Sequence, residues 1–290
     1  MSPNFTCKST SMKVLKFGGT SVGSIENMSN VKRIINDGKK KVVVLSAMSG
    51  TTNKLVAIAQ DVSDGNPNDA IEKINKLHET YFNTIDKLLK DVVLNKDVKN
   101  YISGIFSFLV ECTYKEASEL LDNQIVAQGE FLSTYMFNSY LKQEGIRSAL
   151  LPALDFMRID GNKEPDLSYI KENFQAVVKH AEDADLYITQ GFICLDDLGV
   201  ISNLQRGGSD YTATIIGAAI KAEEDQIWTD IDGMHNNDPR HVQNTKAIAN
   251  LSFEEAAELA YFGAKILHPQ TVTPVRADNI PVRLKNTKDP

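Results

Sequence analysis

The sequence is poor in cysteine, with three in 290 residues, at Cys7, Cys112 and Cys194. They lie far apart and form no C-x-x-C pair, which argues against a disulfide framework and a zinc site and fits a reducing compartment. Positive charge is not in excess either. Lys and Arg number 31 against 38 Asp and Glu, for a net charge of -7, so no broad nucleic-acid footprint is expected and any cation that matters acts locally. No apolar run approaches the ~18 residues needed to span a bilayer. The opening residues, MSPNFTCKSTS, lack the basic-then-apolar form of a signal peptide. A soluble, cytoplasmic protein that engages neither membrane nor nucleic acid is expected. Two nucleotide fingerprints are also missing. Without G-x-x-x-x-G-K-[ST] or G-x-G-x-x-G, neither a P-loop NTPase nor a Rossmann oxidoreductase is supported.

What is present is an ordinary globular composition, 42% hydrophobic and 24% charged, with strand and helix patterns in alternation. Lys13 to Phe17 predicts a short strand broken by Gly18 and Gly19. Apolar residues at Ile25, Met28, Val31, Ile34 and Ile35 predict a helix over Ile25 to Asp37, closed by Gly38. The β-branched run Lys41 to Ser46 predicts a strand buried on both faces. These pieces form a βαβ unit whose loops lie at the carboxyl ends of its strands, where open α/β sheets bind ligands. Residues 66–122 show helical periodicity and no strand candidate, a helical excursion in which His78 reads as solvated or packed. A further helix over Gln124 to Lys142 carries Gln128-Gly129-Glu130 in mid-course. That glycine costs the helix about 1 kcal/mol relative to alanine, so either close helix packing or close approach to a ligand compensates. Strands at Ile146 to Leu150 and Asp185 to Gln190, a helix over Asp166 to His180 and a hairpin turn at Asp196 to Gly199 follow. A helix over Tyr211 to Ala222, a strand at Gln226 to Thr229, a capping box at Ser252 to Glu255 and a last strand at Ile280 to Lys285 complete the series. No repeat or linker interrupts it. The stop at NTKDP just after a strand reads as a truncation.

Two glycine-rich loops carry the candidate chemistry. Leu204 to Tyr211 reads LQRGGSDY and precedes an apolar helix. Ser209 and Asp210 fall at its expected N-cap and first turn, Gly207 and Gly208 allow close backbone approach, and Arg206 offers a planar fork for a carboxylate. An anion site and a simple glycine turn both fit this pattern. The second loop, KFGGTSVG at Lys16 to Gly23, favours the anion site by repeating the strand, loop, helix layout. Lys16 stands where an ammonium would meet phosphate oxygens approached by the Gly18 and Gly19 amides.

KFGGTSVG at Lys16 to Gly23, SAMSGTTN at Ser46 to Asn53, QGE at Gln128 to Glu130 and RGGSDYTA at Arg206 to Ala213 are joined by WTDIDG at Trp228 to Gly233, DPR at Asp238 to Arg240 and FGAKILHP at Phe262 to Pro269. Together, and in this order, they resemble the aspartate kinases of the amino acid kinase family. The resemblance implies an α/β fold, a three-layer αβα sandwich around a mainly parallel sheet with a helical insertion. It implies a lobe over about 13–200 for L-aspartate and one over about 201–290 for ATP with Mg2+, and phosphoryl transfer to the aspartate side chain on the route to lysine, threonine and methionine. Carried over by position, Lys16 with the Gly18 and Gly19 amides would neutralise the transferring phosphoryl group, and Asp210 would hold Lys16. Arg206, Gly207, Gly208, Ser209, Ser46, Thr52 and Glu130 would bind aspartate, with Arg206 on a carboxylate and Glu130 on the ammonium. Lys16, Phe17, Gly18, Gly19, Thr229, Asp230, His235, Arg240, Lys265 and Ile266 would meet the nucleotide. Metal ligands and oligomeric state cannot be read. Gln205, Cys194 and His235 depart from the family pattern, and His235, where a tyrosine often stacks on adenine, implies altered nucleotide affinity without loss of activity. The family's paired regulatory domains are absent, so a catalytic fragment or an unregulated form is expected. Another amino acid kinase, acting on glutamate, acetylglutamate or a nucleoside monophosphate, and a silent nucleotide-binding module are the alternatives.

Overall fold

The computed structural model describes residues 12–204, 207–231, 233–237, 241–262 and 267–290. In chain order the elements are β1 (Lys13–Phe17), α1 (Ile25–Ile35), β2 (Lys41–Leu45), α2 (Thr51–Ser63), α3 (Pro67–Leu88), α4 (Val92–Cys112), α5 (Glu119–Gln143) and β3 (Ser148–Leu151). They continue with α6 (Leu167–His180), β4 (Leu186–Gln190), β5 (Ile193–Leu195), β6 (Ile201–Asn203), α7 (Gly208–Ile220), β7 (Glu224–Thr229), α8 (Phe253–Phe262), α9 (Thr273–Arg276) and β8 (Val282–Asn286). Polar side chains start the helices where N–H groups would otherwise go unpaired. Ser24, Asp91, Ser118 and Asp166 each accept a hydrogen bond from a first-turn amide. The expected capping box forms, with Glu255 N–H donating to Ser252 Oγ and Ser252 N–H to Glu255 Oε2. Helix boundaries differ from expectation in several places. α1 stops at Ile35 because Asn36 leaves helical geometry, and α5 starts at Glu119, five residues before Gln124, where Ser118 caps it. α7 runs from Gly208 to Ile220 and not from Tyr211 to Ala222, because Gly207 and Lys221 adopt left-handed conformations as its caps.

Six strands form one sheet in the order β3-β4-β2-β1-β7-β8, and every neighbouring pair is parallel. β5 and β6 form a separate antiparallel hairpin, as the turn at Asp196 to Gly199 predicts. Strand alternation divides the core in two. Leu15, Phe17, Val43, Leu45, Ile188 and Trp228 face a layer that includes Met28, Leu55, Leu77, Ile102 and Leu132, from α1 through α5. Val14, Val42, Val44, Tyr187 and Ile227 face the opposite layer, with Phe174 of α6, Ile215 of α7 and Val275 of α9. The result is the expected three-layer αβα sandwich, and α3 and α4 form the helical insertion on the first face. Cys112 and Cys194 are free and buried. Burial pushes the Cys194 thiol up to about 12, so it is a packing residue and not a nucleophile. No helix among the described residues is long and apolar enough to cross a membrane.

One core residue is at odds with its surroundings. Asp225 of β7 is fully buried and neither carboxylate oxygen has a hydrogen-bond partner among the described residues. It packs against Gly217 of α7, where a Cβ would come within 2.2 Å of Oδ2. Burial, and then the charge of Glu224, hold its carboxyl well above the usual aspartate range. The folded protein therefore keeps a proton that the unfolded chain loses. Stability should fall as pH rises above the ordinary aspartate value, by up to about 1.4 kcal/mol per pH unit from this group. Urea titrations between pH 5 and 8 should show that slope in the parent and a flatter one in Asp225→Asn.

Candidate active site

The parallel register brings five strand ends to one edge. Phe17 lies beside Leu45 and Trp228, Leu45 beside Gln190, and Thr229 beside Asn286. The loops that leave this edge carry most of the residues singled out in the sequence. Lys16 has the same alternation as Val14, so its side chain emerges on the α7 face. Its Nζ lies 2.6 Å from Asp210 Oδ1, in the first turn of α7, where the positive end of the helix dipole also favours the carboxylate. Oδ1 is sealed from solvent and no aligned hydrogen-bond donor reaches it among the described residues, so the contact with Lys16 holds by charge. Gly207 and Gly208 both have positive φ, at 72° and 49°, which lets α7 begin close enough for this pairing.

The two glycines after Lys16 have separate reasons. Gly18 donates its N–H to Trp228 O at 3.4 Å. At Gly19 a Cβ would sit 2.7 Å from Ala47 O, so only glycine lets this loop lie against the loop after β2. The contact is fastened by Ser49 N–H donating to Gly19 O at 3.1 Å. The ring of Phe17 is wholly buried and stacks on Trp228 with centroids 5.6 Å apart, and its carbonyl accepts from Ser46 N–H. Phe17 thus supports the edge from within the core.

Ser46 joins the two faces. Its hydroxyl donates to Ser209 Oγ at 2.9 Å, while its carbonyl accepts from Ser133 Oγ of α5 at 2.9 Å. Gly191, at the end of β4, makes room for Ser209, because a Cβ there would fall 2.3 Å from Ser209 Cβ. The glycine within α5 is explained in the same way: a Cβ on Gly129 would meet Ala47 Cβ at 2.9 Å and Leu55 Cδ1 at 3.2 Å. Close helix packing is what compensates for it. That approach carries Glu130 into the site. Its Oε1 accepts the Ala47 N–H at 3.1 Å, and its buried Oε2 has no hydrogen-bond partner among the described residues. Burial raises its carboxyl to about 8 even though the Ala47 amide pulls the other way. A carboxylate so placed attracts a cation or a proton.

At the far side of the edge, Thr229 Oγ1 donates to Asp230 Oδ1 at 3.1 Å, and Thr229 O accepts the Thr287 N–H at 2.9 Å. Asp230 is exposed. His235 is buried, with its Nδ1 2.9 Å from Thr245 Oγ1, and lies on the loop beyond β7. Thr52 is half-buried in the first turn of α2. Arg206, Arg240, Lys265 and Ile266 lie outside the described residues. Lys16, Gly18, Gly19, Ser46, Glu130, Ser209 and Asp210 come together around one edge, and Thr229 and Asp230 close its other end. Sequence reasoning missed Ser133, the Ala47 amide and the role of Gly191. The i, i+3 spacing of Glu130 and Ser133 on one helix face was the available signal for the serine. Among the described residues no group of three or more His, Cys, Asp or Glu could hold a metal ion.

Residues 11–286 match the amino acid kinase family. Lysine-sensitive aspartokinase 3 of Escherichia coli is 35% identical over 96% of this chain and 62% of its own length. Aspartokinase 1 of Arabidopsis thaliana, a chloroplast protein, is 35% identical over 96% of this chain and 50% of its own. The chain thus spans less than two thirds of the length of each of these relatives. A crystal structure of E. coli aspartokinase III in complex with aspartate and ADP, in its R-state, aligns with a TM-score of 0.86 and 34% identity, covering 96% of this chain and 62% of that one.

The packing at Gly191 is testable without reference to chemistry. Gly191→Ala should push the first turn of α7 off the end of β4, break the Ser46 to Ser209 hydrogen bond and cost about 1–3 kcal/mol. Chemical denaturation reads this directly, and an unchanged midpoint would mean that the two elements are not in the close contact described.

Proposed function

The chain belongs to the amino acid kinase family, and on that premise we propose that it transfers the γ-phosphoryl group of ATP to the side-chain carboxylate of L-aspartate, giving 4-phospho-L-aspartate for lysine, threonine and methionine synthesis. The observation that carries this reading is Glu130, whose buried Oε2 has no hydrogen-bond partner among the described residues while its helix turn packs against the loop after β2. A substrate ammonium satisfies that carboxylate. A nucleoside monophosphate has no such cation and would leave Glu130 uncompensated. The aspartate and ADP bound by the aligned E. coli structure fit the same reading.

In the proposed step a carboxylate oxygen of aspartate attacks the γ-phosphorus as the bond to the β,γ-bridging oxygen breaks, and ADP leaves with that electron pair. The nucleophile is already ionised, so no general base is required. Lys16 neutralises charge on the transferring group with the Gly18 and Gly19 amides, and Asp210 fixes its position. Arg206, Gly207, Gly208, Ser209, Ser46 and Thr52 orient the amino acid from residues around β2 and the start of α7. Thr229, Asp230 and His235 serve the nucleotide end, Phe17 supports it from within the core, and Arg240, Lys265 and Ile266 are assigned to the nucleotide by the resemblance alone. The aspartate lobe is then about 13–200 and the ATP lobe about 201–290. Mg2+ usually binds through one or two carboxylates plus substrate phosphates, so the lack of a three-acid cluster among the described residues is no obstacle. Asp230, exposed at the nucleotide end, is the carboxylate that would hold it with the phosphates, and when bound the ion would supply charge neutralisation there. The protein would act in the cytoplasm, and a homo-oligomer is compatible with this scheme.

A coupled ADP-release assay with L-aspartate, L-glutamate, acetylglutamate and UMP as acceptors tests the assignment. Turnover should depend on L-aspartate, whereas turnover with another acceptor alone, or none at all, would overturn it. One charge pair at 4 Å and an effective dielectric near 20 is worth about 4 kcal/mol, so Lys16→Met should lower kcat by on the order of a thousandfold. Arg206→Ala should chiefly raise the aspartate KM. Glu130 must lose its proton to bind the ammonium, so kcat/KM for L-aspartate should climb with pH, reach half its plateau at about 8 and level off above that. Glu130→Gln should lower kcat/KM and remove that rise.

A further inference from the structure

The loop after β2 is fastened at four positions, and at three of them the partners belong to the site itself. Ser46 is tied to Ser133 and Ser209, Ala47 to Glu130, and Ser49 to Gly19. The fourth comes from the helical insertion. Tyr81 of α3 is 1% exposed and its hydroxyl lies 3.1 Å from Thr51 Oγ1, in a buried hydrogen bond across 30 residues of chain. Thr51 is the first residue of α2, and its N–H closes the loop onto Met48 O at 2.9 Å. Its methyl group also stands against Gly129, where a Cβ would meet Thr51 Cγ2 at 3.4 Å. Thr51 is therefore wedged between the insertion and the helix turn that carries Glu130. Burial, and then the nearby charge of Glu130, hold the Tyr81 proton in place well above the usual tyrosine range, so the phenol stays neutral and able to donate.

We propose that Tyr81 is a positioning residue for the amino-acid substrate, through which the helical insertion holds the loop over 46–52 in its binding-competent conformation by way of Thr51. This deepens the function proposed above and rests on it. Tyr81 touches neither substrate nor reacting atoms in this scheme. Its hydroxyl restrains the end of the loop that leads into α2. Without that restraint the competent conformation is only fractionally populated, and apparent affinity falls by that fraction. The bound complex itself is unaltered, so the loss belongs in KM and not in kcat.

Tyr81→Phe keeps the ring in its packed position and removes only the hydroxyl. L-Aspartate affinity, measured by calorimetry without nucleotide and as KM in the coupled assay, should weaken about tenfold, the size of one buried hydrogen bond. The ATP KM and kcat should stay within about twofold. Thr51→Val should weaken aspartate binding similarly, Thr51→Ser should behave as the parent, and the Tyr81→Phe, Thr51→Val double variant should be no worse than either single one. Melting temperatures for all variants report whether the core is intact. Unchanged aspartate binding in Tyr81→Phe overturns the positioning role, as does a parallel loss of aspartate affinity, ATP affinity and kcat. A parent protein that does not bind L-aspartate overturns the functional proposal, and the positioning role with it.

Discussion

The arrangement depends on one charge pair, Lys16 with Asp210, which joins the central strand of the sheet to the first turn of the helix above it. Their separation is 2.6 Å, with side-chain exposures of only 12% and 21%. Removing one partner of so sheltered a pair leaves the other charge uncompensated, at a cost well above that of a surface ion pair. Strand alternation sends Lys16 to the α7 face, and the left-handed glycines before Asp210 start that helix early enough to meet it. The pair therefore locks the two glycine-rich loops at one height above the sheet. Every other contact of the site is measured from there.

The loop after β2 is the second constraint, and it works by close approach. Gly19, Gly129 and Gly191 each stand where a side chain would strike backbone or a neighbouring residue, so the loop after β2, α5 and α7 converge more tightly than larger residues allow. That convergence buries Glu130 against the loop after β2 while leaving one of its oxygens without a hydrogen-bond partner among the described residues. A buried acid of raised pKa is a cost to folding, and it is tolerable where a ligand supplies the missing charge. Asp225 shows the contrast. It is equally buried, but lies on β7 away from the edge against Gly217 of α7, and no role in binding follows from its position.

Much of this was legible in the sequence, for physical reasons that differ by element. The β-branched run at Lys41 to Leu45 could only be a strand covered on both sides, and it is fully buried. The loops were legible because glycine beside Lys16 and beside Asp210 has few other uses. The start of α7 was misplaced because glycine is a poor helix former, and its backbone freedom here serves the cap. The mid-helix glycine at Gly129 pointed to close packing or a ligand, and only the fold showed that the first brings about the second. The contacts of Thr51 with Tyr81 and of Ala47 with Glu130 were beyond reach, because they pair positions 30 and 83 residues apart and no local pattern encodes such meetings.

If the cationic edge serves an amino-acid carboxylate, the product is a mixed anhydride of phosphate, which hydroxylamine converts to a hydroxamate. The decisive measurement is to incubate the protein with ATP, Mg2+, L-aspartate and hydroxylamine and identify the products by mass spectrometry. Aspartyl hydroxamate formed in step with ADP is the predicted result. ADP accompanied only by free phosphate, with no hydroxamate, would contradict the account.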